Sequence, residues 1–338
     1  MDAAVLAGLG GCLPGRAIGN AEIAAALSTT DEWIRTRTGI HERHRAAPGT
    51  GTGELAAAAG RAALTSAQET SADLLIVATV TPDQRCPATA PQTAARLGLG
   101  VIPAYDINAV CSGFLYALAA GRAAILAHQA DRVLVIGADT MSTVLDDQDR
   151  DTAVIFGDGA GAVLLRRGRP DEPGALAAVE LGSDGDNARL AEIAAGGSRL
   201  PDRDRQLPYG QHRLRMDGRT MFAHAVRRMA VSCEAVLDRT GWTTDSLDAF
   251  IGHQANQRIL DALAARLGIP AQRCHGNIRT VGNTAAASVP LAMVDAALGQ
   301  DVPRGSRTLL TAFGSGLTWG SATLTWPDCR VTDPRPTA

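Results

Sequence analysis

The stretch of sequence that decides the fold is Ala104-Tyr-Asp-Ile-Asn-Ala-Val-Cys-Ser-Gly-Phe114. In it a short β-prone run passes directly into an Ala-rich segment. We predict a buried strand over Ala104–Ala109 and a helix over Ser112–His128. Another apolar run, Arg132–Gly137, follows that helix and predicts a second strand. Cys111 therefore lies at a strand-to-helix corner of an α/β fold, in which a sheet packs against helices.

A second corner of the same form lies in the second half of the chain. Asn283 precedes a predicted helix over Ala285–Leu298, which leads into a predicted strand over Thr308–Ala312. Two similar units predict a duplicated fold, whose pseudo-twofold symmetry would bring Cys111 and Asn283 together at one site. A chance likeness between two Ala-rich helices is the alternative.

The other predicted elements follow the same alternation of apolar runs and helical segments. Further strands are predicted over Leu74–Val80, Ala160–Leu165 and Ala249–Gly252, and further helices over Glu54–Ala67, Met221–Thr240 and Gln257–Leu267. The segment Arg166–Gly174 is charged and rich in turn residues, which predicts a surface connection. We therefore divide the chain into residues 1–170, which carry Cys111, and residues 171–338, which carry Asn283.

Composition excludes several classes of function. A length of 338 residues, 46% of them hydrophobic, suffices for a large core, and a net charge of −3 gives no general attraction to nucleic acid or anionic lipid. The six cysteines have neither CxxC nor Cys/His spacing, so we expect no disulfide framework and no metal. Since no apolar run reaches the ~20 residues of a membrane span, we expect a cytoplasmic protein without membrane contact.

Cys111 has the position of a nucleophile. Backbone N–H groups and the positive end of a helix dipole favour thiolate over thiol at such a corner. A small buried side chain with no chemical role is the alternative, since free cysteines are often buried.

His253 and Asn283 are the polar candidates to act with it. His253 ends the predicted strand Ala249–Gly252, where polar residues replace apolar ones and where sheets of this type bind ligands. Asn283 follows Gly282 and carries an amide that donates hydrogen bonds without titrating. A structural histidine and an ordinary helix N-cap are the alternatives. The Gly-rich segment Phe313–Gly320 could bring backbone N–H groups to an oxyanion, although turns between strands also need glycine.

Six motifs, in order along nearly the whole chain, resemble those of the β-ketoacyl-acyl carrier protein synthase III family of the thiolase fold. They are Asp31–Ile40, Asn108–Phe114, Ile155–Gly161, His253–Asn256, Gly282–Val289 and Phe313–Ser321. The resemblance implies a five-layered αβαβα arrangement of two duplicated halves. It also implies a homodimer in which a loop near Cys86 reaches the pocket of the partner.

The resemblance further implies a catalytic triad of Cys111, His253 and Asn283, with the N–H groups of Cys111 and Ser315 as the oxyanion hole. An acyl-CoA would acylate Cys111, and decarboxylating malonyl-acyl carrier protein would then condense with the acyl group. The substrates would thus be carried by CoA and by acyl carrier protein, and no metal or redox cofactor is required.

The same resemblance assigns the binding residues one by one. It implies CoA and pantetheine contacts by Trp33, Arg37, Arg150, Gly218, Phe222 and Asn256, an acyl pocket lined by Cys86, Met141 and Phe156, and carrier docking by Arg258 and Arg266. Core packing for Trp33 and solvated charge for the arginines Arg150, Arg258 and Arg266 are the alternatives.

Two departures from the family pattern bear on specificity. Cys86 stands where acetyl-using members carry a large aromatic residue, so we expect a longer or branched starter group. Ser315 replaces a glycine of the oxyanion turn but keeps the N–H group. Acyl transfer to an alcohol or amine remains an alternative activity, although Asn283 favours condensation. A non-catalytic partner is a third alternative, which the presence of Cys111 disfavours.

Overall fold

The computed structural model describes residues 2–201 and 207–335, and the following elements lie within those ranges. The strands are β1 Ala3–Cys12, β2 Arg16–Gly19, β3 Glu42–Arg45, β4 Leu74–Ala78, β5 Ala104–Ile107, β6 Arg132–Thr140, β7 Asp158–Gly168, β8 Leu176–Ser183, β9 Ala191–Glu192, β10 Arg215–Met216, β11 Ala249–Gly252, β12 Cys274–His275, β13 Arg307–Gly314 and β14 Thr318–Thr325. The α-helices are α1 Asn20–Ala26, α2 Asp31–Thr38, α3 Thr52–Ser66, α4 Thr89–Leu97, α5 Gly113–Leu126, α6 Arg150–Ala153, α7 Gly218–Thr240, α8 Gln257–Leu267, α9 Ile278–Val281 and α10 Ser288–Leu298.

Two five-stranded sheets with the same topology form the frame. The first has the order β1-β7-β6-β4-β5, and the second has the order β8-β14-β13-β11-β12. In each sheet the fourth strand runs parallel to both its neighbours, and the other pairs are antiparallel. Because both sheets have the same strand order, the fold is duplicated, as the two similar corners predict. The predicted boundary after residue 170 lies in the connection between β7 and β8.

The strands place alternate side chains in different layers, as the two-residue period of a β-strand requires. In β4, Leu74 and Ile76 pack with α5 and α10, whereas Leu75 and Val77 pack with α3 and α4. The second sheet divides its side chains in the same way between α5 and α10 on one face and α7 and α8 on the other. The layers are therefore α3/α4, first sheet, α5/α10, second sheet and α7/α8, which confirms the predicted αβαβα arrangement.

The two corners begin with a single 3₁₀ turn, which shortens the predicted elements. The strand predicted over Ala104–Ala109 ends at Ile107, and the helix predicted over Ala285–Leu298 becomes α-helical only at Ser288. The physical reason is a left-handed residue in each corner, Val110 at φ 47° and Ala285 at φ 48°. A non-glycine residue in this region interrupts both strand and helix, and such strain is concentrated at functional sites.

Asp139 of β6 links the second corner to the end of β4 in the first sheet. Its Oδ1 accepts hydrogen bonds from Thr79 and Thr81, and its Oδ2 accepts one from the backbone N–H of Ala286 at 3.0 Å. Burial raises the pKa of this carboxyl group to about 6, although the hydrogen bonds oppose the shift. Gly137 permits the close contact, because a Cβ there would collide with the carbonyl oxygen of Ala286. The second corner therefore rests directly on the first sheet.

Candidate active site

A cavity of about 580 Å³ lies where the two corners meet. Cys111 from the first half and His253 and Asn283 from the second half all line it. The three side chains come from different loops: the start of α5, the end of β11 and the segment before α10. The duplicated fold thus brings together at one cavity the three residues that the sequence analysis selected.

Cys111 is 9% exposed and follows the left-handed residue Val110. Burial raises the pKa of its thiol to about 12, and the negative charge of Asp139 raises it further. Removal from water therefore opposes the thiolate form that the N–H groups and the helix dipole favour. A thiol at this position must lose its proton when its sulfur forms a new bond.

His253 is buried and held from two sides. Its backbone N–H donates to Thr311 at 2.8 Å, and its ring Nδ1 lies 2.5 Å from the hydroxyl oxygen of Ser288. Burial lowers the pKa of the imidazole to about 3. The ring is therefore neutral at physiological pH and carries a single N–H, which suits a hydrogen-bond donor in an apolar cavity.

Asn283 is fixed by its backbone and by its own amide oxygen. Its N–H donates to Ile155 at 3.0 Å, and its carbonyl accepts from Gly157 at 2.9 Å. The side-chain Oδ1 accepts from the backbone N–H of Ala285 at 2.9 Å. Since that oxygen is engaged, the Nδ2 group is the part of the amide that remains to donate to a ligand. Asn283 is not the N-cap of α10, because that helix begins at Ser288 with Ala287 as its N-cap.

The Gly-rich turn approaches Cys111 very closely. A Cβ at Gly314 would lie 2.8 Å from the backbone nitrogen of Cys111, so only glycine fits there. The hydroxyl of Thr318 bridges the two segments, at 3.0 Å from the carbonyl oxygens of both Ala109 and Ser315. Ser315 lines the cavity together with Cys111. The turn and the nucleophile corner are therefore held in one fixed relation, as an oxyanion hole requires.

The predicted CoA-binding residues fall into two groups. The first group, Gly218, Phe222 and Asn256, lines the cavity. The second group, Trp33, Arg37 and Arg150, is not among the described residues that form the cavity wall. The guanidinium of Arg150 lies 4.8 Å from the ring centre of Trp33, and that of Arg37 lies 5.7 Å away. Asn256 connects the groups, because its Nδ2 donates to the carbonyl of Arg37 at 3.1 Å.

The structure places the residues of the predicted acyl pocket in two different environments. Met141 and Phe156 are buried in one apolar cluster with Cys111, and both line the cavity. Cys86 is exposed and is not in the cavity wall that the described residues form. The expectation that Cys86 lines the pocket is therefore not met within one chain, because its segment runs along the surface. The neighbouring Arg85 does line the cavity.

Sequence reasoning missed one wall of the cavity. It is formed by β9, β10 and the adjoining loop, including Glu192, Ile193, Gly196, Gly197 and Leu214. These short strands are two residues long and have no apolar period, so no local signal identified them. The paired glycines after Ile193 were the available sign of a loop beside a ligand.

The remaining predictions concern surfaces and metals. Arg258 and Arg266 are both exposed on α8, and Arg258 follows Asn256 at the cavity. Among the described residues there is no group of three His, Cys, Asp or Glu side chains able to hold a metal ion. No helix in the same part of the chain is long and apolar enough to cross a membrane.

The fold and this cavity define a thiolase-like condensing enzyme. The 3-oxoacyl-[acyl-carrier-protein] synthase III family matches residues 105–185, and its C-terminal part matches residues 237–326. β-Ketoacyl-[acyl-carrier-protein] synthase III 3 of Streptomyces coelicolor is 53% identical over 327 residues, covering 96% of this chain and 98% of that one.

Solved structures give the same result. The 3-oxoacyl-(acyl carrier protein) synthase III of Pseudomonas aeruginosa superposes with a TM-score of 0.91 at 45% identity, covering 97% of this chain and 99% of the other. A priming β-ketosynthase from a polyketide biosynthetic pathway has a TM-score of 0.90 at 32% identity, covering 97% of each chain. The chain belongs to the β-ketoacyl-acyl carrier protein synthase III family. It is a condensing acyltransferase that initiates fatty acid or polyketide chains.

Proposed function

We propose that Cys111 carries the acyl group and that His253 and Asn283 stabilise the enolate that attacks it. The observation that supports this division is that all three side chains line one cavity. In the first half-reaction the sulfur of Cys111 bonds to the carbonyl carbon of an acyl-CoA. The CoA carbon–sulfur bond breaks, and the thiol proton ends on CoA. The N–H groups of Cys111 and Ser315 hold the oxyanion.

In the second half-reaction a malonyl thioester on acyl carrier protein loses CO₂. The electron pair of the broken C–C bond forms an enolate, whose oxygen accepts hydrogen bonds from Nε2–H of His253 and Nδ2 of Asn283. The enolate carbon attacks the acyl carbonyl and expels the sulfur of Cys111. The thiolate then takes a proton from water, which the raised pKa of the buried Cys111 favours.

We propose a starter group larger than acetyl. Met141, Leu145, Phe156 and Leu214 form an apolar cluster around Cys111, which suits a hydrocarbon chain. Cys86, if a partner subunit presents it, adds a small side chain where a large aromatic residue would shorten the pocket. A kcat/KM that is highest for acetyl-CoA would contradict this proposal.

We propose that two chains pair through β5, the exposed edge of the first sheet. Tyr105 on this strand is 41% exposed and Val101 just before it is fully exposed, and such apolar edges favour pairing. Light scattering should give twice the chain mass, and Tyr105→Arg should shift it toward the mass of one chain. We also propose that Arg258 and Arg266 attract the acidic carrier, and that the enzyme works in the cytoplasm, where acyl-CoA is available.

The deciding experiment is intact-protein mass spectrometry after mixing the enzyme with acyl-CoAs of increasing length, followed by malonyl-acyl carrier protein. Acylation of the wild type, its absence in Cys111→Ala, and discharge to a β-ketoacyl product are the expected results. An acyl-enzyme that malonyl-acyl carrier protein does not discharge would instead indicate transfer to an alcohol or amine.

A further inference from the structure

The inner side of His253 contacts a second buried side chain that the reaction itself does not use. The ring Nδ1 lies 2.5 Å from the hydroxyl oxygen of Ser288, and the two residues are 2% and 1% exposed. Ser288 is absent from the cavity wall formed by the described residues, whereas His253 lines it. Ser288 therefore contacts the catalytic ring from behind and has no direct access to substrate.

The hydrogen atoms around Ser288 can be assigned by counting donors. The backbone N–H of Gln254 points at the hydroxyl oxygen of Ser288 from 3.4 Å. This N–H can only donate, so the oxygen accepts from it, and among the described residues Nδ1 of His253 is the one acceptor recorded within hydrogen-bond distance of the hydroxyl hydrogen. The neutral imidazole of His253 has one proton for two nitrogens, and a donor at Nδ1 leaves that proton on Nε2.

We propose that Ser288 is a positioning residue, whose hydroxyl donates to Nδ1 and holds His253 as the Nε2–H tautomer. This tautomer presents a donor to the cavity, which is what an enolate oxygen needs. The opposite tautomer would present a lone pair to that oxygen and repel it. The inference rests on the proposed role of His253 in the condensation.

The placement of Ser288 in the chain supports this role. It is the first residue of α10 and follows Asn283 by one short turn, which contains the left-handed residue Ala285. The same turn engages Oδ1 of Asn283 through the N–H of Ala285. One segment thus orients both enolate donors, Asn283 directly and His253 through Ser288.

The test compares Ser288→Ala with wild type in each half-reaction. Decarboxylation is measured alone in a Cys111→Ala background, by conversion of malonyl-acyl carrier protein to acetyl-acyl carrier protein. We expect Ser288→Ala to slow decarboxylation about tenfold to hundredfold, because the stabilised tautomer is lost. Acylation of Cys111, followed by mass spectrometry in the otherwise wild-type enzyme, should change less than about threefold, since its oxyanion is held by backbone N–H groups.

A spectroscopic readout separates tautomer control from simple packing. Nitrogen-15 histidine NMR, with His253 assigned by its loss in His253→Asn, should show the Nε2–H form in wild type and a mixture in Ser288→Ala. Ser288→Thr keeps the hydroxyl and should restore the wild-type tautomer. Ser232→Ala is the matched control, because it removes a buried hydroxyl that has no hydrogen-bond partner in the structure. That control should leave both rates unchanged.

Three results would overturn the proposal. They are an Nδ1–H tautomer in wild type, an unchanged decarboxylation rate in Ser288→Ala, or equal loss of both half-reactions without a change of tautomer. A wild-type enzyme that forms no β-ketoacyl product would instead contradict the proposed function. The NMR measurement would still decide the tautomer in that case, so the two failures are distinguishable.

Discussion

The corners before α5 and α10 have the same backbone but carry different chemistry. In the first, Oδ1 of Asn108 accepts from the N–H of Val110 at 3.3 Å; in the second, Oδ1 of Asn283 accepts from the N–H of Ala285 at 2.9 Å. Val110 and Ala285 are both left-handed, and each corner continues through one 3₁₀ turn into its helix. The duplication therefore extends to single hydrogen bonds.

The two corners can be aligned residue by residue, and the proposed active residues then occupy different positions in them. Cys111, one residue after Val110, corresponds to Ala286, while Asn283 corresponds to Asn108. Asn283 is 4% exposed, whereas Asn108 is exposed in the single chain. The comparison teaches that the repeated backbone supplies two preformed corners, and that the proposed nucleophile and the proposed amide donor lie on opposite copies.

The largest effect should come from moving the nucleophile to the other corner. Cys111→Ala should lower β-ketoacyl product formation by a factor on the order of 10⁴ or more. Adding Ala286→Cys should not restore it, because the Cβ of Ala286 packs 3.7 Å from the position of a Cβ at Gly113 and is buried. Acylation at residue 286, detected by peptide mass spectrometry, would show that the corners are interchangeable.

A smaller difference is expected between the two amides. Asn283→Ala should lower the condensation rate by about 10²–10³-fold while leaving acylation of Cys111 intact, since one enolate donor is lost. Asn108→Ala, its counterpart, should cost less than about tenfold, because Asn108 lines the cavity but its Oδ1 accepts from the N–H of Val110 in its own corner. Rapid-quench measurement of both half-reactions checks this, and equal losses would contradict the division of roles.

The contact between the second corner and the first sheet can be broken at Asp139. Asp139→Ala leaves the donors of Thr79, Thr81 and Ala286 unpaired and should lower the free energy of unfolding by about 3 kcal/mol. Loss of the negative charge should also lower the pKa of Cys111, because that charge helps to raise it. Urea unfolding gives the first quantity, and iodoacetamide labelling against pH gives the second. A variant as stable as wild type would show that this carboxylate does not join the halves.

The smallest expected effect is on the pH dependence of stability. Burial shifts the pKa values of His253 and Asp139 in opposite directions. Burial lowers the pKa of His253 to about 3, so its contribution to stability is present above the unfolded pKa near 6.5 and is lost as the pH falls toward 3. Burial raises the pKa of Asp139 to about 6, so its contribution is present below pH 3.8 and is lost as the pH rises through 6.

The His253→Gln variant isolates the histidine contribution. Its free energy of unfolding should fall less than that of wild type between pH 6.5 and 4, the window in which only the native state resists protonation. Urea titrations at several pH values measure the difference. Parallel pH profiles for variant and wild type would mean that His253 is not desolvated in the native state.

Much of this architecture could be predicted because its signals are local. The continuous apolar run of β4 and the Ala-rich stretches after the corners predict buried strands and helices, and the motifs around Cys111, His253 and Asn283 predict residues that the structure places at one cavity. Other features depend on distant residues. The raised pKa of Cys111 reflects burial by the whole fold. The cavity wall around Glu192 comes from short strands without an apolar period. The surface position of Cys86 depends on how its segment leaves the core.

The close approach of Gly314 to Cys111 also has a consequence for the biosynthesis of the chain. In the proposed oxyanion hole one N–H belongs to Cys111 and the other to Ser315, about two hundred residues later in the order of translation. A nascent or prematurely terminated chain that already contains the cysteine lacks the second donor and the turn that aligns it. In this proposal the thiol therefore becomes competent only after the turn Phe313–Gly320 has been synthesised and has folded against it.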